Sequence, residues 1–470
     1  MTVKIDSASK TKSAYTVRKF LLFIGIFAMP TQVDTLLHAR WVIPVDLERS
    51  ILEHHSVAIN QGKIIAIMPS DQAKQTYQGH QELELDNHAL MPGLINAHGH
   101  AAMSLFRGLA DDLPLMTWLE KHIWPAEGQW VSPDFVRDGT RLAIAEMLQS
   151  GTTCFSDMYF YPDVCAEVAS EHKVRAQVCC PILDFPTPWA SNAEEGIHKA
   201  IEVHADFRHN PLINIAFGPH APYTVSDEPL KKIASYREEL QIPVQMHVHE
   251  TAFEVTEAEK NGPRPIARLE QLGLLGPDFQ AVHVTQVNDE DRKILAKYQV
   301  NVVHCPESNL KLASGFCPVH ELQQAGINVA LGTDGAASNN DLDMFGEMQN
   351  AAQLAKAVSG NAAALPAYEA IAIATINGAR ALGIDDVTGS LEIGKAADII
   401  ALDLDQLTAL PVYNPVSQLV YTRMADKVQH VWVNGEQLVK DKQLTQFDTD
   451  QLKQKAREWG AKILAGERND

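Results

Sequence analysis

Short apolar runs separated by helix-length amphipathic stretches recur through the middle of the chain. Eight of these runs read as strands: Ala89–Ala97, Thr152–Asp157, Val174–Ile182, Ile213–Gly218, Pro243–Val248, Gln280–Val284, Val300–His304 and Asn328–Gly332. Nearly every one is followed by a segment long enough for a helix, the signature of repeated βα units. The two ends of the chain read differently. Ser56–Ile59 alternates apolar and polar residues, Asn60-Gln61-Gly62-Lys63 makes a turn, and Ile64–Met68 returns as the second arm of a hairpin. Near the other end Ala397–Leu402 reads as a strand, and Val428–Val433 runs into the hairpin turn Asn434-Gly435. Neither end alone has enough strands to be stable. The pattern therefore predicts an α/β fold: a (β/α)8 TIM-like barrel with a small β-sandwich domain built from both chain ends. The expected divisions are an extension over 1–29, sandwich over 30–88 and 390–448, barrel over 89–389, and a C-terminal helix over 449–470.

Composition supports a large folded protein. The chain has 470 residues, 46% hydrophobic and 21% charged, which suits one barrel plus a smaller domain. The formal net charge of −20 argues against nucleic-acid or anionic-membrane partners, which call for a basic face. Six cysteines, none in a CxxC pair, lie in or beside apolar runs and read as reduced, buried thiols of a cytoplasmic protein. At the N-terminus, Lys4, Lys10, Lys12, Arg18 and Lys19 precede an apolar run from Phe20 to Met29. That run is too short to cross a bilayer. It reads either as the start of a signal peptide lacking a clear cleavage site or as an extension upstream of a start at Met29; the second is expected, with the extension poorly ordered or loosely packed.

In a barrel of this kind the C-terminal ends of the strands carry the chemistry. There the sequence places His98 and His100, Asp157, His220, the group His247, His249 and Glu250, then His283, His304 and Asp334. A single histidine at such a place is usually structural. A ring of them is hard to explain by packing, because each buried polar group needs its own partner. In extended backbone, residues two apart point the same way, so His98 and His100 can face one metal ion. An isolated HxH is a weak signal; here it ends a strand and follows Met91-Pro92-Gly93-Leu94-Ile95-Asn96-Ala97. Asp334, before Gly335, can ligate and accept a proton, although Asp before Gly is also common in simple turns. By alternation both His247 and His249 would point inward.

Six segments together resemble the amidohydrolase superfamily and, within it, the 5-methylthioadenosine/S-adenosylhomocysteine deaminases. They are MPGLINAHGHAAMSLFRGLADD (91–112), HIWPAE (122–127), FGPHAPYTVSD (217–227), MHVHE (246–250), HCPESNLKLASG (304–315) and GTDGAASNNDLDMFGEM (332–348). The resemblance spans about Val33 to Phe447. It implies His98, His100, His247 and Asp334 as ligands of one divalent metal, with zinc expected first, although the donor types also suit iron or manganese. The family pattern of a ligand histidine with a glutamate three positions on selects His247 and leaves His249 as a neighbour. It further implies Glu250 as proton shuttle to the ring nitrogen, His283 as the residue that orients or deprotonates the attacking water, and Glu127, His220 and Trp118 as substrate contacts. Glu127 is assigned to the ribose hydroxyls. His304, Asp157 and the cysteines are expected to be structural, with Ser308-Asn309 shaping the pocket.

This set suits deamination. Aromatic C6 resists neutral water, and a divalent metal lowers the pKa of bound water from 15.7 towards about 7. Three histidines and one aspartate leave a coordination position open. Asp334, with His283, accepts the water proton; Glu250 protonates N1, and protonation of the departing amine releases ammonia. The other zinc-deaminase pattern, HxE with PCxxC, is absent from the sequence, and no lysine stands out as a carbamylated bridge between two metals. The expected partner is a small-molecule nucleoside, with homo-oligomerisation open. Within the resemblance, relatives that take the homocysteine carboxylate often carry an arginine near the end of strand three, where Cys179-Cys180 stand here; this favours methylthioadenosine or adenosine. The same scaffold also serves guanine or cytosine deaminases and triazine amino- or chlorohydrolases, and a non-catalytic barrel scaffold is the alternative of another class.

Overall fold

The computed structural model describes residues 29–466; the expectation for the N-terminal extension lies almost wholly outside them. The barrel strands are β1 (Leu94–Gly99), β2 (Thr152–Met158), β3 (Arg175–Ile182), β4 (Ile213–Pro219), β5 (Val244–Val248), β6 (Phe279–His283), β7 (Asn301–His304) and β8 (Val329–Leu331). They lie side by side in chain order, all parallel. Helices connect them across the outside, several starting at a short polar residue whose side chain accepts an orphan N–H: Ser132, Asn192, Thr251 and Asn288. The outer faces of the strands and the inner faces of these helices share one apolar core.

The barrel seam is also where the candidate chemistry gathers. Closure between β8 and β1 runs through the Asp334 N–H, which donates to the His98 carbonyl at 3.0 Å. The backbones approach so closely here that a Cβ on Gly332 would sit 2.7 Å from that same carbonyl oxygen. Glycine is the residue this contact allows.

Inside the barrel, below its C-terminal rim, lies a polar layer. Gln280 Oε1 accepts from Gln245 Nε2 at 2.6 Å and from Gln177 Nε2 at 2.8 Å, and Gln245 Nε2 also reaches the Ala97 carbonyl. A buried amide is tolerated only when so partnered.

Strands from the two chain ends form a second sheet of eight strands. Thr31–Val42 pairs with Leu52–Asn60 and, in parallel, with Tyr77–Pro92; the latter pairs with Ile399–Asp403, which continues into Val428–Val433 and Glu436–Lys440. The expected sandwich takes the form of one sheet curled over its own core, its far edge returning to the chain at Lys63↔Ala396. The run Ala89–Ala97, expected as one strand, is divided at Gly93: its first half belongs to the terminal sheet and its second to β1. A Cβ on Gly93 would lie 2.0 Å from Thr153 Oγ1, so the crossing needs a residue without a side chain. The helix Thr449–Ala465 packs on Pro133–Gln149, with Trp459 Nε1 donating to Asp138 at 2.9 Å.

One buried ion pair ties the two sheets together. Arg175, at the start of β3, donates to Asp398 at 3.0 Å, and Asp398 also accepts from the Asn434 N–H at 2.6 Å. Removing one member strands the other's charge away from water. Asp398→Ala is expected to destabilise the fold by about 3–5 kcal/mol, read as a lower urea midpoint; a loss below about 1 kcal/mol, the scale of an exposed pair, would contradict this.

Candidate functional site

Four side chains meet at the rim. His98 and His100 end β1, His247 lies on β5, and Asp334 follows β8; one ligand atom from each lies within 4.8 Å of all the others. Each imidazole gives its Nδ1 hydrogen to an oxygen: His98 to Gln245 Oε1 at 2.7 Å, His100 to the Met158 carbonyl at 2.6 Å, and His247 to the His220 carbonyl at 2.7 Å. The Nε2 lone pairs are therefore left to face inward. His98 and His247 bring two such nitrogens to 3.1 Å, and Asp334 Oδ1 lies 3.1 Å from His100 Nε2 and 3.6 Å from His98 Nε2. Lone pairs so close repel unless a cation lies between them. Donors about 2.0–2.1 Å from one tetrahedral ion would be roughly 3.3 Å apart, so the donor set fits a divalent metal. Asp334 Oδ2 is taken by two buried hydroxyls, Ser308 at 2.7 Å and Ser338 at 3.0 Å.

The backbone bends sharply around this cluster. Asp334, His283, Val284 and His249 have φ of +62°, +75°, +50° and +54°, a left-handed conformation that non-glycine residues adopt at a cost. At His249 this turn breaks strand alternation. Its ring leaves the rim and pairs instead with the Gln286 carbonyl at 3.0 Å and the Ile266 N–H at 3.3 Å. Of these two histidines, only His247, on β5, joins the cluster.

Glu250 follows β5, and its Oε2 is 3.8 Å from His283 Nε2. Burial, reinforced by the charge of Asp334, pushes the Glu250 carboxyl up to about 8, so it holds a proton at neutral pH. Burial lowers the His283 pKa and keeps the ring neutral; its Nδ1 lies 2.9 Å from Asn309 Oδ1. The cleft above is lined by His100, His220, His247, Glu250, His283 and Asp334. Glu127 lines it too, buried beside the Tyr159 hydroxyl and pushed up to about 7 by that burial. Glu127 comes from a helix, Trp124–Trp130, that directly continues one π-helical turn, Leu119–Ile123; such insertions often re-aim side chains at functional sites. Trp118 lines the cleft with its indole N–H fixed on the Ala110 carbonyl at 3.1 Å. His220, lowered to about 4 by burial, contacts Thr224 Oγ1 at 3.1 Å.

Asp157 is spent on the Ala101 N–H at 2.5 Å, bracing the turn after His100. His304 is buried, which lowers it to about 3 and keeps it neutral. All six cysteines are free and buried. Sequence reasoning missed Gln245, Tyr159, Ser338 and the walls Trp124, Phe160 and Phe185. A signal existed only for Gln245, a polar residue inside an apolar run and two positions before His247.

Residues 89–438 match the family described as the Amidohydrolase family. The chain is 56% identical over 436 residues to a 5-methylthioadenosine/S-adenosylhomocysteine deaminase of Saccharophagus degradans, covering 93% of this chain and 98% of that protein. It is 52% identical to the protein of the same name from Teredinibacter turnerae, covering 93% and 99%. Among solved structures, an adenosine deaminase from Xanthomonas campestris with bound zinc superposes with a TM-score of 0.92 at 47% identity, covering 93% of this chain and 100% of that one. An atrazine chlorohydrolase from Arthrobacter aurescens, at 24% identity and a TM-score of 0.84 over 90% and 99%, shares the fold. A match across the whole barrel, with relatives more than half identical and aligned almost end to end, means that the chain belongs to the amidohydrolase family.

Proposed function

We propose that this protein is a metal-dependent aminohydrolase that converts an adenine nucleoside to its inosine analogue and ammonia, with a single zinc ion held by His98, His100, His247 and Asp334. The observation that carries this reading is the convergence of three imidazole Nε2 atoms and one carboxylate beside the protonated carboxyl of Glu250, in a cleft that also holds Glu127. The deaminase names of the relatives and the zinc in the Xanthomonas structure support it. When bound, the ion supplies Lewis acidity that makes water a competent nucleophile near neutral pH.

The protein's own residues do the rest. Glu250 donates its proton to the purine N1, so that negative charge does not build on the ring as C6 becomes tetrahedral. Asp334 and His283 accept the proton of the attacking water. Glu127 receives the ribose hydroxyls, and His220 and Trp118 complete the contacts that hold the nucleoside in line. The small-molecule partner is consistent with the acidic chain. Among the described residues no helix is long and apolar enough to cross a membrane.

Around the cleft stand Leu115, Trp118, Trp124, Phe160, Leu183 and Phe185, and among the described residues no lysine or arginine lines it. Cys179 and Cys180 are fully buried in the barrel wall. Such a surface suits an apolar 5′ substituent and gives a carboxylate no cation to offset its desolvation. In an ammonia-release assay over methylthioadenosine, adenosine, S-adenosylhomocysteine, guanine and cytosine, methylthioadenosine is expected to exceed S-adenosylhomocysteine by at least about tenfold in kcat/KM, the worth of one unpaired charged group. Faster turnover of guanine or cytosine would overturn the substrate assignment. Purified protein that is stably folded, free of metal and inert in every assay would favour the non-catalytic scaffold.

A further inference from the structure

Accepting the deaminase reading, one helical turn touches both of its proton acceptors. Ser308 and Asn309 are consecutive residues on the helical turn Pro306–Lys311, immediately after β7. Both are buried, and they reach two different strand ends: Ser308 Oγ donates to Asp334 Oδ2 at 2.7 Å, and Asn309 Oδ1 lies 2.9 Å from His283 Nδ1. The turn itself is pinned, with Asn309 N–H on the Cys305 carbonyl at 3.0 Å and the Asn309 carbonyl taking the Ser314 N–H at 2.9 Å.

A neutral imidazole has one donor nitrogen and one acceptor nitrogen, and the partner of the first decides the state of the second. His283 presents Nε2 towards Glu250 and stacks against His247, with centroids 5.5 Å apart. The neighbouring His98–His247 pair frames a cation site, which repels an N–H aimed at it and attracts a lone pair. We propose that Asn309 is a positioning residue whose side-chain carbonyl holds His283 as the Nδ1–H tautomer, leaving Nε2 unprotonated and turned to the reacting atoms. With Ser308 fixing Asp334, one helical turn then orients both groups that take the water proton. The alternative, with the Asn309 amide reversed and donating, would put the hydrogen on Nε2 and remove that acceptor.

The test is the tautomer itself. Protein labelled with 15N-histidine and loaded with diamagnetic zinc is examined by NMR, the His283 signals being those lost in His283→Asn. A protonated Nδ1 and a bare Nε2 are expected; the reverse pattern overturns the proposal. Because this spectrum needs no turnover, it reports the tautomer even if the deaminase reading fails. In kinetics, Asn309→Leu is expected to lower kcat about 10²-fold, the low end of general-base contributions, with KM changed less than about threefold. Asn309→Asp, which accepts but cannot donate, is expected to recover at least about tenfold of that loss. If Asn309→Asp is as damaging as Asn309→Leu, the amide acts as a donor and the proposal fails. Should neither variant fold, the wild-type spectrum alone decides.

Discussion

Glu250→Gln is expected to keep the metal and the fold while losing about 10³–10⁴ in kcat, the upper range for removal of a positioned proton donor. The substitution is nearly isosteric, and the backbone contacts that hold this position, from the Glu250 N–H to Glu254 at 2.8 Å and from Thr285 to the Glu250 carbonyl at 2.7 Å, do not involve the altered side chain. What disappears is a proton. Burial raises the Glu250 pKa to about 8, so the carboxyl is charged with its proton below that value and empties as pH rises through it. Wild-type kcat/KM should therefore fall on the alkaline side, and the residual activity of the variant should lack that limb. Near-full turnover by Glu250→Gln would show that another group supplies the proton.

Loss of a proposed ligand is expected to cost more. Asp334→Ala removes a donor atom and a proton acceptor together, and leaves Ser308 and Ser338 without the carboxylate they bond. Bound metal should drop well below one equivalent and activity by at least about 10⁴-fold, since water without Lewis-acid help has a pKa of 15.7. Chelation of the wild type should give the same loss, restored by added divalent ion; Asp334→Ala should not be restored. Gln245→Leu provides an intermediate case. It strips the acceptor from His98 Nδ1, and partners of this kind are worth about 10–100-fold in metal affinity. Retention of a full equivalent of tightly bound metal by Asp334→Ala would exclude it as a ligand.

Much of this is legible in the sequence. The apolar runs locate the barrel strands because each needs only a short β-rich segment and a helix-length follower. The pair His98 and His100 can be read from alternation together with the strand that it ends and the run that precedes it. Other features are hidden for identifiable reasons. Ala89–Ala97 looks like one strand because an apolar run carries no mark of which sheet it will join; the break is fixed by the contact between Gly93 and Thr153, far along the chain. His247 and His249 are equivalent by period two; the family resemblance selects His247, and the left-handed turn at His249 is the physical reason that periodicity could not supply. The cleft wall of Trp124, Phe160 and Phe185 comes from three different connections, whose meeting no local pattern encodes. Gln245 stands in plain view, but a buried amide reads as a flaw in a strand until its partner is known.

The curled sheet has a consequence for biosynthesis. Its strand Tyr77–Pro92 lies between Thr31–Val42 and Ile399–Asp403, so a ribosome making the protein must deliver more than three hundred further residues before that strand gains its second neighbour. Until then the nascent chain presents an unpaired apolar edge, open to association with other chains. Emergence of the Ile399 segment, rather than completion of the eight barrel repeats, should mark the point at which stalled chains become protease-resistant.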